Sequence, residues 1–238
     1  MANKTALITG ASSGIGKAVA LCFAQAGIDL ILLGRSLDRL QPVVDAATKL
    51  GVSARSYELD LGNLAAVRPS IAKIIEEVGA LDILVNNAGT AYTNHLMDTP
   101  LTDWQRIIDL NLSSVLQVIQ GSLPHLRQQK SGTIVNLISV AGQQAFPNWG
   151  AYCVSKFGLV ALSKALAAEE RANGIRVTAL YPGSVNTALW DRDGVDADFD
   201  RSAMLDADTV AAAVLYAATA PATACVEELT IMPSAGVF

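Results

Sequence analysis

Clusters of basic residues, a cysteine framework and long hydrophobic runs are all lacking in this 238-residue chain. Seventeen Lys and Arg stand against 22 Asp and Glu, a formal net charge of −5, and no stretch concentrates the basic residues. A nucleic-acid-binding protein needs a basic surface, so we expect no nucleic-acid partner. The three cysteines, Cys22, Cys153 and Cys225, lack the spacing of zinc ligands. We therefore expect reduced thiols and no metal site.

No uninterrupted apolar run reaches the roughly 18 residues that a membrane-spanning helix needs. The first residues lead directly into the apolar stretch Thr5–Thr9, which is too short for a signal-peptide core and has no cleavage pattern. Hydrophobic residues make up 51% of the chain and charged residues 16%, a balance that suits one large buried core. We therefore expect a single cytoplasmic domain over residues 1–238, without a membrane partner.

Short runs rich in Val, Ile and Leu alternate with longer amphipathic segments. This alternation is typical of βαβ units, whose parallel strands are covered by helices on both faces. We predict an α/β fold, a Rossmann-type doubly wound parallel sheet of about seven strands flanked by helices. The predicted strands are Ala6–Thr9, Asp29–Gly34, Ala54–Glu58, Leu81–Asn86, Gly132–Ile138, Ile175–Tyr181 and Glu228–Met232. The predicted helices are Gly16–Gln25, Leu37–Leu50, Leu64–Val78, Thr102–Leu126, Tyr152–Asn173 and Asp208–Ala218.

One long polar interruption, Trp190–Asp206, follows the sixth predicted strand. A solvated loop is the simpler interpretation. Its position just after a late strand end also suits a mobile substrate lid over residues 190–206. The segment carries Asp191, Asp193, Asp196, Asp198 and Asp200.

A glycine-rich turn joins the first predicted strand to the first predicted helix, with glycines at Gly10, Gly14 and Gly16. Glycines let the backbone turn sharply and approach a pyrophosphate, and the free N–H groups at the helix start attract the anion. The spacing departs from the usual G-x-G-x-x-G fingerprint. We nevertheless interpret the turn as a phosphate loop.

The same turn, Gly10 to Gly14, also matches the G-x-S-x-G nucleophile elbow of α/β-hydrolases. A hydrolase needs a later acid followed by a histidine, and the chain offers only His95 and His125. Neither follows a late strand, so the dinucleotide-binding interpretation is favoured.

The end of the second predicted strand indicates which cofactor is bound. A carboxylate there would hydrogen-bond the ribose of NAD and repel a 2′-phosphate. Gly34 ends the strand instead, Arg35 follows, and Arg39 lies one helical turn further on. A guanidinium group matches a phosphate in charge and geometry, so the sequence predicts NADP(H).

Four polar residues are the candidate catalytic group: Asn111, Ser139, Tyr152 and Lys156. Tyr152 and Lys156 lie four residues apart, on one face of a helix. Ser139 ends a Val- and Ile-rich strand, and the carboxyl edge of a parallel sheet is where α/β folds place chemistry. We predict that Tyr152 exchanges a proton with a substrate oxygen, Ser139 hydrogen-bonds that oxygen, and Asn111 holds a water on the proton route.

A tyrosine is a poor base at pH 7 unless its phenolate is stabilised by roughly 3–4 kcal/mol, since its pKa is about 10. A lysine ammonium about 4 Å away contributes on the order of 4 kcal/mol at the effective dielectric near a protein. Lys156, with the positive charge of an oxidised nicotinamide, is therefore predicted to lower the pKa of Tyr152 well below 10.

In their order along the chain, these motifs resemble those of the short-chain dehydrogenases/reductases. The resemblance also rests on Asn86-Asn87-Ala88-Gly89 and on the segment from Tyr181 to Thr187. It implies an oxidoreductase that transfers a hydride between NADP(H) and a small carbonyl or alcohol substrate. The cofactor-binding residues that it implies, with those argued above, are Gly10, Ser12, Ser13, Gly14, Ile15, Gly16, Arg35, Asp60, Asn87, Ala88, Gly89, Tyr152, Lys156, Pro182, Gly183, Val185 and Thr187.

The chain departs from the family pattern at Ser13, where a basic residue is usual, so the NADP(H) prediction depends on Arg35. The helical patterns Thr102–Leu126 and Tyr152–Asn173 resemble those through which family members pair, which implies a homodimer or homotetramer. A non-catalytic NADP(H)-binding sensor or scaffold is the alternative function. It would explain the phosphate loop but not the four catalytic candidates.

Overall fold

The computed structural model describes residues 3–196 and 200–236. Within them, seven parallel strands form one sheet. The strands are β1 (Thr5–Thr9), β2 (Asp29–Gly34), β3 (Ala54–Glu58), β4 (Ile83–Asn86), β5 (Gly132–Leu137), β6 (Ile175–Pro182) and β7 (Glu228–Ile231). Their order is β3-β2-β1-β4-β5-β6-β7, which confirms the predicted doubly wound sheet. The order reverses between β1 and β4, so a crevice opens there at the carboxyl ends of the strands.

Seven α-helices cover the sheet in the described part of the chain. They are α1 (Gly14–Gln25), α2 (Leu37–Lys49), α3 (Leu64–Val78), α4 (Leu101–Ile108), α5 (Ser114–Gln129), α6 (Gly150–Glu170) and α7 (Ala207–Thr219). Successive side chains of a strand point to opposite faces. Ile8 of β1 accordingly packs in a cluster with α1, α2 and α7, whereas Leu7 packs with α3, α5 and α6.

The helical segment Gly150–Asn173 is long and apolar enough, by length and composition, to cross a membrane. In the fold, α6 lies against the sheet and contributes Leu159 and Leu166 to the core. The central helix of a covered sheet meets the same criterion, because it is buried by protein on one side.

The helical pattern predicted near residues 102–126 is helical throughout, but it is not one regular α-helix. A π-helical turn, Asp109–Ser113, separates α4 from α5. Asn111 lies in this turn, and both its amide oxygen and its amide nitrogen bond the backbone of Thr90. A π-turn inserts one residue and is often found at functional sites. The apolar periodicity of the sequence did not predict this turn.

The predicted lid over residues 190–206 contains turns and a short 3-10 helix, Arg201–Ala203, before α7 begins at Ala207. The segment is attached on both sides of the cleft. Arg201 donates to Asn186 and to the backbone oxygen of Thr187, and Thr93 N donates to Gly194 O over 2.8 Å. Residues 197–199, among them Asp198 of the predicted lid, lie outside the described residues.

Candidate active site

A single large cleft of about 1290 Å³ opens at the carboxyl ends of the strands. It exceeds the roughly 300–1,000 Å³ of an ordinary small-ligand pocket, so it has room for a dinucleotide and a small substrate together. Most of the predicted site residues line it. They are Gly10, Ser12, Ser13, Gly14, Ile15, Arg35, Asp60, Asn87, Ala88, Gly89, Ser139, Tyr152, Lys156, Pro182, Gly183, Val185 and Thr187.

Two predicted residues, Gly16 and Asn111, are not part of the cleft lining. Gly16 lies behind the phosphate loop, where an added Cβ would come within 2.3 Å of the backbone oxygen of Gly10. Its role is to let α1 pack against the loop. Asn111 is 1% exposed and lies behind the Gly89–Thr90 backbone.

The phosphate loop has the geometry that a pyrophosphate requires. Gly10 and Gly14 have φ angles of 66° and 53°, a conformation that other residues rarely adopt. Ser13, at the start of α1, makes no side-chain cap hydrogen bond, and the first turn of the helix carries no acidic residue. The N–H groups of that turn therefore remain available to an anion, which is the chemistry of a dinucleotide-binding helix.

Asn87 braces this loop from the neighbouring strand. Its Nδ2 donates to Thr9 O over 2.9 Å and to Gly10 O over 3.3 Å. In return, Thr9 Oγ1 accepts the backbone N–H groups of Asn87 and Ala88, each over 3.0 Å. The loops after β1 and β4 are thus tied together at the point where the strand order reverses.

Four arginines line the cleft: Arg35, Arg39, Arg106 and Arg192. Arg192, from the 190–206 segment, donates from Nη1 to Thr90 Oγ1 over 2.9 Å and to Gly89 O over 3.2 Å. Partial burial, and then the positive charges of the other three arginines, lower the pKa of Arg192. Mutual repulsion of this kind is relieved when a polyanion binds, so this part of the cleft suits a ligand with several phosphates.

Asp60, predicted to contact adenine, lies in the turn after β3. Its Oδ1 accepts the backbone N–H of Gly62 over 2.9 Å. Across the cleft, the Thr187 side chain lies 3.3 Å from the position of a Cβ added to Gly14. The Thr187 side chain therefore lies next to the phosphate loop.

The three catalytic candidates that line the cleft come from β5 and α6. Ser139 follows β5 with a φ of 152° and a ψ of 159°, a region that non-glycine residues rarely adopt. Its Oγ accepts the backbone N–H of Ala141 over 3.1 Å. Tyr152 lies in the first turn of α6, and Lys156 follows one turn later with its Nζ 5.5 Å from the Tyr152 ring centroid. The structure brings these three predicted side chains to the same cleft.

The electrostatics of this group differ from the sequence-based expectation. Burial raises the pKa of Tyr152 to about 12, and a hydrogen bond with Ser139 acts in the opposite direction but is weaker. Burial also lowers the pKa of Lys156 to about 8. The predicted lowering of the Tyr152 pKa includes the positive charge of an oxidised nicotinamide, and in the protein alone burial is the dominant effect on that pKa. The ammonium group is itself disfavoured by the same burial, and its Nζ donates to Leu137 O over 3.1 Å.

Asn111 acts through the backbone next to the cleft. Its Oδ1 accepts Thr90 N over 2.9 Å, and its Nδ2 donates to Thr90 O over 2.9 Å and to Ser155 Oγ over 3.1 Å. The side chain thereby connects the loop after β4 to α6, the helix that carries Tyr152. The structure supports a positioning role for Asn111 and does not bring it to the cleft surface.

Sequence reasoning missed Arg192 and an aromatic pair, Trp149 and Trp190, all of which line the cleft. Trp149 lies three residues before Tyr152, which is about one helical turn. This spacing could have indicated from the sequence that Trp149 lies near Tyr152. Arg192 and Trp190 lie in a segment without regular structure. Only the three-dimensional fold places them in the cleft.

The chain matches the family model described as short chain dehydrogenase over residues 4–197. An uncharacterized oxidoreductase of Staphylococcus epidermidis is 34% identical over 230 residues, which cover 97% of each chain. The alcohol dehydrogenase of Thermococcus sibiricus, complexed with 5-hydroxy-NADP, aligns with a TM-score of 0.89 and 29% identity over 98% of this chain and 97% of its own. Carveol dehydrogenase of Mycobacterium avium, in complex with NAD, aligns with a TM-score of 0.88 and 26% identity over the same shares. The chain therefore belongs to the short-chain dehydrogenase/reductase family of NAD(P)-binding oxidoreductases.

Proposed function

We propose that the protein is an NADP(H)-dependent oxidoreductase that transfers a hydride between nicotinamide and a small carbonyl or alcohol substrate. The observation that carries the proposal is the convergence of Ser139, Tyr152 and Lys156 on the cleft that also contains the phosphate loop. A sensor or scaffold would need the loop but not this group. The catalytic proposal therefore accounts for more of the site.

When bound, the nicotinamide supplies or accepts the hydride, and the protein's own groups handle the proton. With a pKa of about 12, the Tyr152 phenol is protonated at neutral pH and is a proton donor for a carbonyl oxygen. Ser139 bonds the phenol and lies where it can also hydrogen-bond the substrate oxygen. A positive charge near the phenol stabilises the phenolate. The Lys156 ammonium therefore helps Tyr152 to give its proton to the substrate oxygen.

The preference for NADP(H) over NAD(H) rests on the end of β2. Gly34 has no side chain to repel a 2′-phosphate, and both Arg35 and Arg39 line the cleft beyond it. Arg192, electrostatically coupled to both, adds a further positive charge to the same region. The solved relatives bind either NADP-type or NAD cofactors, so the arginines and not the family likeness support this choice.

We also propose a cytoplasmic homodimer or homotetramer without nucleic-acid or membrane partners. Three apolar side chains on α5 and α6 support the pairing. Leu116 is 37% exposed, Val154 47% and Phe157 43%. A second copy of the chain would bury these side chains.

The test is NADPH oxidation, followed at 340 nm, with a panel of small ketones and aldehydes. Tyr152→Phe should remove most turnover and leave NADPH affinity nearly unchanged, because one oxygen is deleted from a site held by many contacts. Tyr216→Phe is the matched control, since Tyr216 is 65% exposed and outside the cleft. Near-normal activity of Tyr152→Phe would overturn the proton-transfer role. NADPH binding without reduction of any carbonyl would favour the sensor or scaffold.

A further inference from the structure

Two tryptophans form an aromatic wall beside the proton donor. The ring centroids of Trp149 and Tyr152 lie 5.6 Å apart at an interplanar angle of 69°. Those of Trp149 and Trp190 lie 5.8 Å apart at 70°. Aromatic residues make up only 5% of this chain, yet two of its three tryptophans pack together beside Tyr152, with Trp149 in contact with its ring. Proton and hydride transfer do not require such a concentration of ring surface, so it calls for a separate role.

A hydrogen bond to backbone holds the Trp190 indole, and the Trp149 indole packs against the rings of Tyr152 and Trp190. Trp190 Nε1 donates to Val185 O over 2.8 Å, which fixes the ring at the end of β6. Trp149 immediately precedes α6, and its backbone N–H donates to Phe146 O over 3.2 Å. The wall is thus built from two different elements, one of which also carries Tyr152. Rings fixed in this way bind a ligand at low conformational cost.

Further apolar side chains line the cleft with the two indoles. They include Phe146, Pro147 and Leu189. Trp149 and Trp190 are each only partly buried, so ring surface faces the cleft.

Charged groups next to the wall are already engaged. Asp191 pairs with Arg201 over 2.6 Å, Arg192 donates to Gly89 and Thr90, and the Lys156 ammonium donates to Leu137 O. A substrate carboxylate placed against the indoles would have to compete with these existing bonds for a cationic partner, whereas a neutral ring would not, which disfavours keto and hydroxy acids.

We propose that Trp149 and Trp190 form a subsite for an aromatic ring on the substrate carbonyl or carbinol carbon. The substrate class is then alkyl aryl ketones, aromatic aldehydes and the corresponding alcohols. Edge-to-face contact between aromatic rings adds to the burial of apolar surface, and the two indoles lie at the angle to each other that such contacts favour. This inference rests on the proposed function, since it places the ring so that the carbonyl oxygen meets Tyr152.

The experiment compares three carbonyl compounds with NADPH as the reductant: acetophenone, 2-butanone and pyruvate. The wild type should reduce acetophenone with a kcat/KM at least tenfold above that of 2-butanone, and pyruvate least well. Trp190→Ala should lower the acetophenone to 2-butanone ratio at least tenfold, mainly through a higher KM for acetophenone. Trp190→Phe should recover most of the ratio because it restores a ring. Trp104→Phe, in the one tryptophan outside the cleft lining, is the control and should leave the ratio unchanged.

A second measurement does not depend on turnover. Binding of 1-phenylethanol should quench the tryptophan fluorescence of the wild type saturably, and Trp190→Ala should lose affinity at least tenfold. The subsite is overturned if the wild type does not prefer acetophenone, if pyruvate is the best substrate, or if Trp190→Ala leaves the ratio unchanged. If the protein binds NADPH but reduces none of the three compounds, the proposed function fails separately. Fluorescence then decides on the subsite: saturable quenching that Trp190→Ala weakens supports it, and its absence overturns it.

Discussion

The buried lysine of the site should destabilise the folded protein at neutral pH. Lys156 is 5% exposed, and burial lowers its pKa from 10.5 to about 8. Its ammonium group is therefore held in a place that favours the neutral amine. We predict that Lys156→Met removes most turnover and lowers cofactor affinity, yet makes the folded protein more stable near pH 7.

The magnitude follows from the two pKa values. The difference between 10.5 and about 8, at about 1.36 kcal/mol per pH unit, corresponds to roughly 3 kcal/mol against the charged form in the folded state. Loss of the bond from Nζ to Leu137 O returns about 1–3 kcal/mol of that gain. The net stabilisation by Lys156→Met at pH 7 should therefore be about 1 kcal/mol. The change of this stability difference with pH should be larger than the difference at pH 7 itself.

The sign of that pH dependence is fixed. Below pH 8 both the folded and the unfolded wild type carry the Lys156 proton, so this group gives no slope. Between about pH 8 and 10.5 the unfolded state binds more protons than the folded state. The free energy of unfolding of the wild type therefore rises with pH in this range, as the destabilisation by Lys156 is lost. The advantage of Lys156→Met over the wild type should shrink by roughly 3 kcal/mol across this window.

Urea unfolding of the wild type and Lys156→Met at several values between pH 7 and 10.5 measures this difference directly. Because both proteins share every other titrating group, those contributions cancel in the comparison. Lys164→Met is the control on the same helix, since Lys164 is 64% exposed and pairs with Glu228 over 2.9 Å. A difference between Lys156→Met and the wild type that stays constant over this range would refute the reasoning. So would one that grows with pH.

Three further predictions concern the cofactor and the assembly. Arg35→Asp should weaken NADPH binding about ten- to a hundred-fold, through loss of a charge-assisted phosphate contact, and narrow or reverse the cofactor preference in a titration; equal wild-type affinities for NADPH and NADH would contradict this. Gly16→Ala should weaken NADPH binding at least tenfold in the same titration, because its Cβ would lie 2.3 Å from Gly10 O and displace α1 from the phosphate loop. Unchanged binding would show that the loop tolerates the shift. Light scattering at micromolar concentration should give a mass at least twice the 24.9 kDa of one chain, and a monomer mass would exclude the proposed pairing.

The sheet was predictable from the sequence because parallel strands buried on both faces are continuous apolar runs. β2 agrees in both bounds with its predicted range, and β4 begins at Ile83 instead of Leu81. The proximity of Tyr152 and Lys156 was predictable because residues four apart lie on one face of a helix. The position of Ser139 was predictable because it follows a parallel strand and therefore lies at the carboxyl edge of the sheet.

Other parts of the site depend on tertiary contacts that leave no local pattern. Within the π-turn, the Asn111 side chain bonds the backbone of Thr90, 21 residues away in sequence. Trp190 reaches the cleft because the segment after β6 folds back over it. The raised pKa of Tyr152 depends on how much water the surrounding side chains exclude. These three features depend on residues that are distant in sequence, so they cannot be predicted from the spacing of neighbouring residues.

Several features that reduce the stability of the fold lie close together at the carboxyl edge of the sheet. Ser139 has a backbone conformation that suits glycine, Lys156 is a buried cation, and Asn111 occupies a π-turn. Each of these costs stability locally, and each persists only where the surrounding structure over-determines it. Here the surrounding structure is a sheet packed on both faces. Lys156 connects α6 to β5 of this sheet, and Asn111 connects the loop after β4 to α6. Since the scaffold already holds these groups in place, the site need not reorganise when proton transfer occurs, and substitutions that relieve the local cost should raise stability at the expense of turnover.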